Sequence, residues 1–244
     1  MAKPQENKTF SEKCAYIARI VGNVGEKITR EQARDLIAAA LNTGSEHEAP
    51  VSVLLVGKPA IGKTHQIKHF QNRGYKIEFL SEATKAGLKE LLLRTQDFSH
   101  VMMPDLSLTL SGKSSAEFAA VMNPFLDEGA DKLYTKNYQI DAKGKRFGLI
   151  AACTERTFSQ RMQTLEENGF LTRIVVARLT GKELRWRDLE KKTLFKKTDY
   201  RKVELTAGQK DELEKQLLTF AFGAEYYPRR YAIAKRLLEI CTFT

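Results

Sequence analysis

Residues 57–64 read Gly57-Lys58-Pro59-Ala60-Ile61-Gly62-Lys63-Thr64, which matches the pattern G-x-x-x-x-G-K-[ST]. The apolar run 51–56 precedes this stretch, and the helix-compatible segment 65–71 follows it. A phosphate-binding loop needs this strand–loop–helix context, because glycines let the backbone approach a phosphate and the start of a helix attracts anions. The stretch therefore predicts a nucleotide site, and the alternative is an ordinary glycine-rich turn.

Two side chains of the loop have specific expected roles. Lys63 reaches the β- and γ-phosphates, and the Thr64 hydroxyl is a ligand of Mg²⁺. We expect the whole loop and the adjacent His65 to contact the nucleotide. The predicted cofactors are ATP and Mg²⁺.

The composition narrows the class of protein. The chain has 244 residues, a formal net charge of +10 and three scattered cysteines. No apolar run approaches the roughly 20 residues of a membrane span, and the N-terminus does not resemble a signal peptide. We therefore expect a cytoplasmic protein with no membrane contact. The positive charge favours a polyanionic partner such as DNA, although a merely basic protein remains the alternative.

Alternation of apolar strands with helices along the chain predicts an α/β fold with a parallel five-stranded sheet flanked by helices. We expect a helical N-terminal segment at 1–49, an ATPase core at 50–180, and a small helical C-terminal domain at 181–244, which could be a lid or winged-helix-like. The predicted strands are 51–56, 75–80, 101–103, 147–153 and 174–177.

Helix boundaries are marked by local signals. Thr29 with Gln32, and Thr206 with Gln209, have the spacing of capping boxes. Pro124 is expected to kink or split the helix predicted for 114–127. In the C-terminal region, Gly223 is expected to close one helix and Pro228 to start the last one. The face of that last helix carries Ile233, Leu237, Ile240 and Cys241.

Four positions outside the loop are candidates for chemistry. Asp105 ends the third strand, where a second carboxylate would hold Mg²⁺; the alternative is a turn cap. Thr154 ends the fourth strand, where it could orient the attacking water or simply cap the next helix. Arg173 could complete a neighbouring subunit's site as an arginine finger or make a surface salt bridge. Arg229 or Arg230 could reach the nucleotide from the last helix.

In order and spacing, these positions resemble the AAA+ branch of P-loop ATPases over about residues 50–240. Residues 57–64 look like its Walker A motif and 101–105 like Walker B. Thr154 resembles sensor 1, Arg173 the finger and Arg229 sensor 2. Segments 80–88, 104–107 and 169–173 look closer to ATPases of phages and mobile elements. The resemblance implies an ATPase that assembles with copies of itself and works beside a helicase, primase or transposase.

The chain departs from this family after Asp105. The family's second motif ends in Asp-Glu, and here Leu106 stands in place of the glutamate. Glu82 or Glu117 could supply the missing catalytic base. Otherwise hydrolysis is slow, and the protein is mainly an ATP-gated binder.

Two basic segments are candidates for contact with nucleic acid. Residues 132–147 interleave lysines with tyrosines, and the strand-like alternation around 141–144 suggests a hairpin inserted before the fourth strand. Residues 182–202 hold nine basic and four acidic side chains. A solvated hairpin and a solvated connector are the respective alternatives. The expected contacts to DNA are Lys136, Lys143, Lys145 and Arg146.

The first functional hypothesis is therefore an oligomeric ATPase that binds, remodels or moves along DNA. The second is an ATP-gated switch or loader that recruits a helicase, transposase or similar partner. A nucleotide kinase is a distant third, because no acceptor-binding lid is evident.

We discount Ser111–Ser114 as a second phosphate loop, since Ser107 stands where a glycine is needed. His65 and His69 lack an evident third zinc ligand.

Overall fold

A computed structural model describes residues 9–46, 49–80, 98–110, 114–128, 130–134, 139–182 and 202–240. Its centre is a parallel sheet of six strands. In chain order these are β1 (Glu26–Ile28), β2 (Ser52–Gly57), β3 (Ile77–Phe79), β4 (His100–Met103), β7 (Gly148–Thr154) and β8 (Ile174–Leu179), and the order across the sheet is β1-β8-β2-β7-β4-β3. Strands β5 (Ala130–Tyr134) and β6 (Gln139–Lys145) form a separate antiparallel pair.

The predicted α/β sheet is thus confirmed, but the expected number of strands was wrong. The extra strand, β1, lies inside the segment that was expected to be only helical. It is held at the sheet edge by β8, with Glu26 opposite Ala177 and Ile28 opposite Leu179. Gly25 also donates its backbone N–H to the Val176 carbonyl at 2.9 Å.

The helices in the described ranges are α1 (Phe10–Gly22), α2 (Arg30–Glu46), α3 (Lys63–Lys68), α4 (Ser114–Asn123), α5 (Glu155–Glu167), α6 (Ala207–Leu218), α7 (Ala221–Glu225) and α8 (Tyr227–Ile240). Both expected capping boxes are present. Pro124 does interrupt its helix, which continues as a π-helical turn at Pro124–Glu128. Gly223 does not close α6; it lies inside α7. None of the described helices is long and apolar enough to cross a bilayer.

Residues of the central strands alternate between two buried clusters, as expected for a sheet covered on both faces. Val53 and Leu55 face a cluster that includes α1, α2, α6 and α8, whereas Leu54 and Val56 face a cluster that includes α4 and α5. The N-terminal and C-terminal helices therefore share one core with the sheet. The predicted domain boundaries stay a prediction.

The amino-terminal edge of the sheet contains a fully buried histidine. His100 Nε2 lies 3.2 Å from the Val51 carbonyl oxygen and its Nδ1 lies 3.1 Å from Ser99 Oγ. Gly148 leaves room for this ring, since a Cβ at residue 148 would lie 2.3 Å from His100 Cδ2. Burial lowers the pKa of His100 to about 4. The folded protein therefore holds this imidazole neutral well below the pH at which it protonates in the unfolded chain.

This depressed pKa predicts a loss of stability in acid. The unfolded chain takes up a proton on His100 as the pH falls below about 6.5, whereas the folded protein does so only near pH 4. The contribution of His100 to the free energy of unfolding is therefore present above pH 6.5 and is lost as the pH falls from 6.5 to 4. We expect a loss of about 3 kcal/mol across that range from this group. Denaturant unfolding of the wild type and His100→Gln at several pH values measures it. The pKa of His69 is also lowered to about 4, so His69 contributes to the pH dependence of stability in the same direction. His69→Gln is therefore the variant with which His100→Gln is compared. An unchanged pH slope in His100→Gln would contradict the assignment.

Candidate nucleotide-binding site

Residues 57–64 lie at the carboxyl end of β2, which has β8 on one side and β7 on the other. Gly57 is the last residue of the strand, and Lys63 is the first residue of α3. Gly62 has φ +96°, a left-handed conformation that favours glycine. A Cβ at Gly57 would lie 3.2 Å from the Leu179 carbonyl oxygen, so a side chain here would crowd the neighbouring strand. Both glycines of the pattern are therefore explained by local geometry.

Lys63 is folded back onto its own loop. Its ammonium donates to the Gly57 carbonyl at 2.8 Å and to the Lys58 carbonyl at 2.7 Å, and the residue is 9% exposed. Burial lowers the pKa of Lys63, while the nearby carboxylates of Asp105 and Glu155 oppose that shift. Burial also raises the pKa of the neighbouring Cys153 thiol to about 12 and so keeps it neutral. The site thus combines one buried cation with two carboxylates.

The two expected magnesium ligands come from segments that are in contact with each other. The Thr64 hydroxyl donates to the carbonyl of Pro104 at 3.3 Å, and Asp105 follows Pro104 directly. Asp105 Oδ1 accepts from the Ser107 backbone N–H at 2.8 Å, so this carboxylate also caps a turn. A hydroxyl and a carboxylate are hard oxygen donors, which Mg²⁺ takes together with phosphate and water. The residues therefore fit the ion.

Thr154 is placed beside the loop by strand pairing. It lies opposite Gly57 in the β2–β7 register. Its hydroxyl accepts from the Thr157 backbone N–H at 3.1 Å and lies 2.8 Å from Thr157 Oγ1. The cap on the following helix, one of the two roles expected for Thr154, is thus confirmed, and the orientation of an attacking water stays a prediction.

A cleft of about 360 Å³ lies next to the loop on the side of α2 and β8. Arg30 connects the two features, because its Nε donates to the Ile61 carbonyl at 3.1 Å and its Nη2 donates to the Lys182 carbonyl. Burial and the guanidiniums of Arg34 and Arg30 lower the pKa of His65, which follows the loop. The lining residues are Thr29, Arg30, Glu31, Arg34, Thr180 and Gly181. No sequence pattern predicted the cleft, since its lining residues come from two distant segments.

Arg173 lies at the amino-terminal ends of the strands, opposite the ends that carry the phosphate loop. It ends a 3₁₀ turn, Leu171–Arg173, before β8, and its Nη1 donates to the Gly169 carbonyl at 2.8 Å. The first residue of β8, Ile174, is level with Ser52, at the opposite end of β2 from the loop. A parallel strand of this length spans roughly 17–20 Å. The chain therefore does not bring Arg173 to its own phosphate loop.

Neither arginine at the start of α8 lies at the loop. Arg229 Nη1 donates to Thr172 Oγ1 at 3.4 Å, beside the turn that carries Arg173. Arg230 is 1% exposed, donates to the carbonyls of Leu171 and Ile174, and stacks on Phe222. The expected contact of Arg229 with the nucleotide of its own chain is thus not made.

Leu106 stands where the AAA+ pattern has a glutamate. Leu106 is fully buried, and its backbone N–H donates to the Ala152 carbonyl at 2.7 Å. Of the carboxylates considered as replacements, Glu117 is exposed on α4, and Glu82 lies outside the described residues. The structure adds another candidate, Glu155, in the first turn of α5.

The hairpin expected near 132–147 is present as the pair β5–β6, and the strand-like character predicted around Asp141–Gly144 is confirmed. Those residues lie in β6, where Asp141 is opposite Lys132. The register shifts between Ala130 and Lys132, and Gly144 has φ +72°. Lys145 and Arg146 are half-buried. The structure does not describe Lys136, the side chain of Lys143 or most of the basic segment 182–202.

Among the described side chains, there is no group of three or more His, Cys, Asp and Glu residues that could hold a metal ion, so His65 and His69 gain no third ligand there. No model of a known protein family matches this chain, and no curated protein matches it.

Proposed function

We propose that this protein binds and hydrolyses ATP with Mg²⁺, as a P-loop ATPase of the AAA+ type. The observation that carries the proposal is the arrangement at the carboxyl ends of β2, β4 and β7. There the loop 57–64, Asp105 and Thr154 come from three separate segments to one edge of a parallel sheet. Ligands of open α/β sheets bind at this edge.

Each part of the site has a role in holding the nucleotide. The loop amides and the Lys63 ammonium would bind the phosphates, and Thr64 and Asp105 would hold Mg²⁺, which neutralises phosphate charge when bound. The cleft beside Ile61 and His65 would take the nucleoside. Its volume of about 360 Å³ suits a base with its ribose.

The basic test is the binding of ATP to the purified protein with and without Mg²⁺, followed by phosphate release. We expect Mg²⁺-dependent binding and slow turnover. An absence of binding to either ATP or GTP would refute the proposal. Measuring the size of the protein in solution, with and without ATP and DNA, would test whether copies assemble. Assembly is required if Arg173 acts on the nucleotide of a neighbouring copy.

The buried Leu106 favours a second function, an ATP-gated switch or loader with little motor activity. DNA-stimulated turnover with strand displacement would support a motor. ATP-dependent binding to DNA or to a partner protein, without movement along DNA, would support the switch. A role beside a helicase, primase or transposase belongs to both versions of the proposal.

DNA binding is proposed for the β5–β6 hairpin and can be tested by charge reversal. We expect Lys143→Glu combined with Lys145→Glu to weaken DNA binding and to flatten its salt dependence, because the lysines no longer displace counterions from phosphates. Fluorescence anisotropy with labelled DNA across a salt series gives both quantities. The matched control is Lys210→Glu with Lys215→Glu, which reverses two exposed lysines of α6 and changes the net charge equally. An unchanged salt slope in the hairpin variant would remove the hairpin from the interface.

A further inference from the structure

Leu106 is buried and offers no carboxylate that could serve as a catalytic base. Glu155 stands at the same edge of the sheet as the loop. It follows Thr154 directly, and Thr154 is paired with Gly57 across β2 and β7. Its side chain is 41% exposed, so water can reach the carboxylate.

Glu155 is held by an arginine from the strand on the other side of the loop. Arg178 of β8 is paired with Val56, and its Nε lies 3.2 Å from Glu155 Oε1. The ion pair therefore joins β8 to the start of α5, the helix that follows β7, at the level where β2 ends and the loop begins.

The Arg178 side chain lies close against the backbone of Gly25. A Cβ at Gly25 would lie only 2.8 Å from Arg178 Nε, and Gly25 has φ +81°. A residue with a side chain at position 25 would thus be strained and would displace Arg178. Gly25, Arg178 and Glu155 thus come together from three distant segments of the chain.

We propose that Glu155 is the general base of ATP hydrolysis and that Arg178 is the residue that positions it. This inference rests on the proposed function. In the step, a carboxylate oxygen of Glu155 takes a proton from water while the water oxygen bonds to the γ-phosphorus. The bond between that phosphorus and the β–γ bridging oxygen breaks, and ADP leaves with the electron pair. Glu155 later returns the proton to solvent.

The first test is Glu155→Gln, which keeps the size of the side chain and removes its basicity. We expect turnover to fall by about 100-fold or more, the usual contribution of a general base, while the affinity for Mg·ATP changes by less than about twofold. After incubation with ATP and rapid desalting, chromatography of the bound nucleotide should find ATP in this variant and ADP in the wild type. Glu167→Gln, which changes an exposed glutamate at the far end of the same helix, is the matched control and should retain most of the turnover.

The second test separates positioning from a purely structural role. Arg178→Gln should slow turnover, and the double variant Glu155→Gln/Arg178→Gln should be no slower than Glu155→Gln alone, because both changes act through one group. Two outcomes would overturn the inference. One is Glu155→Gln retaining half of the wild-type turnover, and the other is independent, multiplicative losses in the double variant. A wild type that does not bind ATP would instead refute the proposed function.

Discussion

Lys63→Ala is expected to remove most of the affinity for Mg·ATP. The Lys63 ammonium is buried against the carbonyls of Gly57 and Lys58, at the base of the loop that would receive the phosphates. Losing a buried, hydrogen-bonded charge opposite a charged partner costs about 2–5 kcal/mol, which corresponds to roughly 30-fold to several thousand-fold in affinity. Titration of the variant with a fluorescent ATP analogue, with and without Mg²⁺, measures the change.

Lys68→Ala is the matched control for this experiment, because Lys68 is exposed at the end of the same helix. It removes one positive charge from α3 without touching the loop, so its affinity should stay within about twofold of the wild type. Circular dichroism establishes whether each variant is folded. If Lys63→Ala binds Mg·ATP as well as Lys68→Ala does, the loop is not a phosphate site.

The loop and its strand could be predicted from sequence because the information is local. The glycines at 57 and 62 occupy positions where crowding or a left-handed backbone requires them, and the preceding apolar run becomes a strand buried on both faces. The capping boxes at Thr29 and Thr206 were predictable for the same reason. In each case the residues that specify the feature are neighbours in the chain.

Strand β1 could not be predicted because its partner is far away in sequence. Glu26–Ile28 is a run of three residues with little apolar character, and it becomes a strand only through pairing with Ala177–Leu179. A short segment of this kind carries no periodic signal of its own. Its consequence for the site is considerable, since the same segment brings Gly25 against Arg178.

The positions of Arg229 and Glu155 also depend on tertiary packing. Sequence order did not reveal which edge of the sheet the last helix would approach, and the contacts of Arg230 with Leu171 and Ile174 place it at the amino edge. By its sequence position, Glu155 is an ordinary acidic residue in the first turn of a helix, where the helix dipole favours it. Its relation to the loop emerges only when β7, β2 and β8 are side by side.

Arg173→Ala is expected to abolish turnover while leaving ATP binding within about twofold of the wild type. Arg173 lies at the amino end of β8, and the phosphate loop follows the carboxyl end of β2, so in the proposed assembly the guanidinium would act on the nucleotide of a neighbouring copy. An arginine finger contributes roughly 1,000-fold or more to turnover by stabilising charge on the γ-phosphoryl group in the transition state. Phosphate release and ATP titration on the same preparation separate the two effects. Arg161→Ala on α5 is the control for loss of one positive charge.

A mixing experiment distinguishes a finger that acts in trans from an arginine that only supports the fold. Arg173→Ala has an intact loop and no finger, whereas Lys63→Ala has a finger and no working loop. Neither variant should hydrolyse ATP alone, but mixed assemblies contain junctions in which a Lys63→Ala copy presents its Arg173 to the loop of an Arg173→Ala copy. Turnover should therefore reappear on mixing and depend on the ratio of the two proteins. If Arg173 only stabilised its own turn against Gly169, its removal would be felt within the same chain, and mixing would restore nothing.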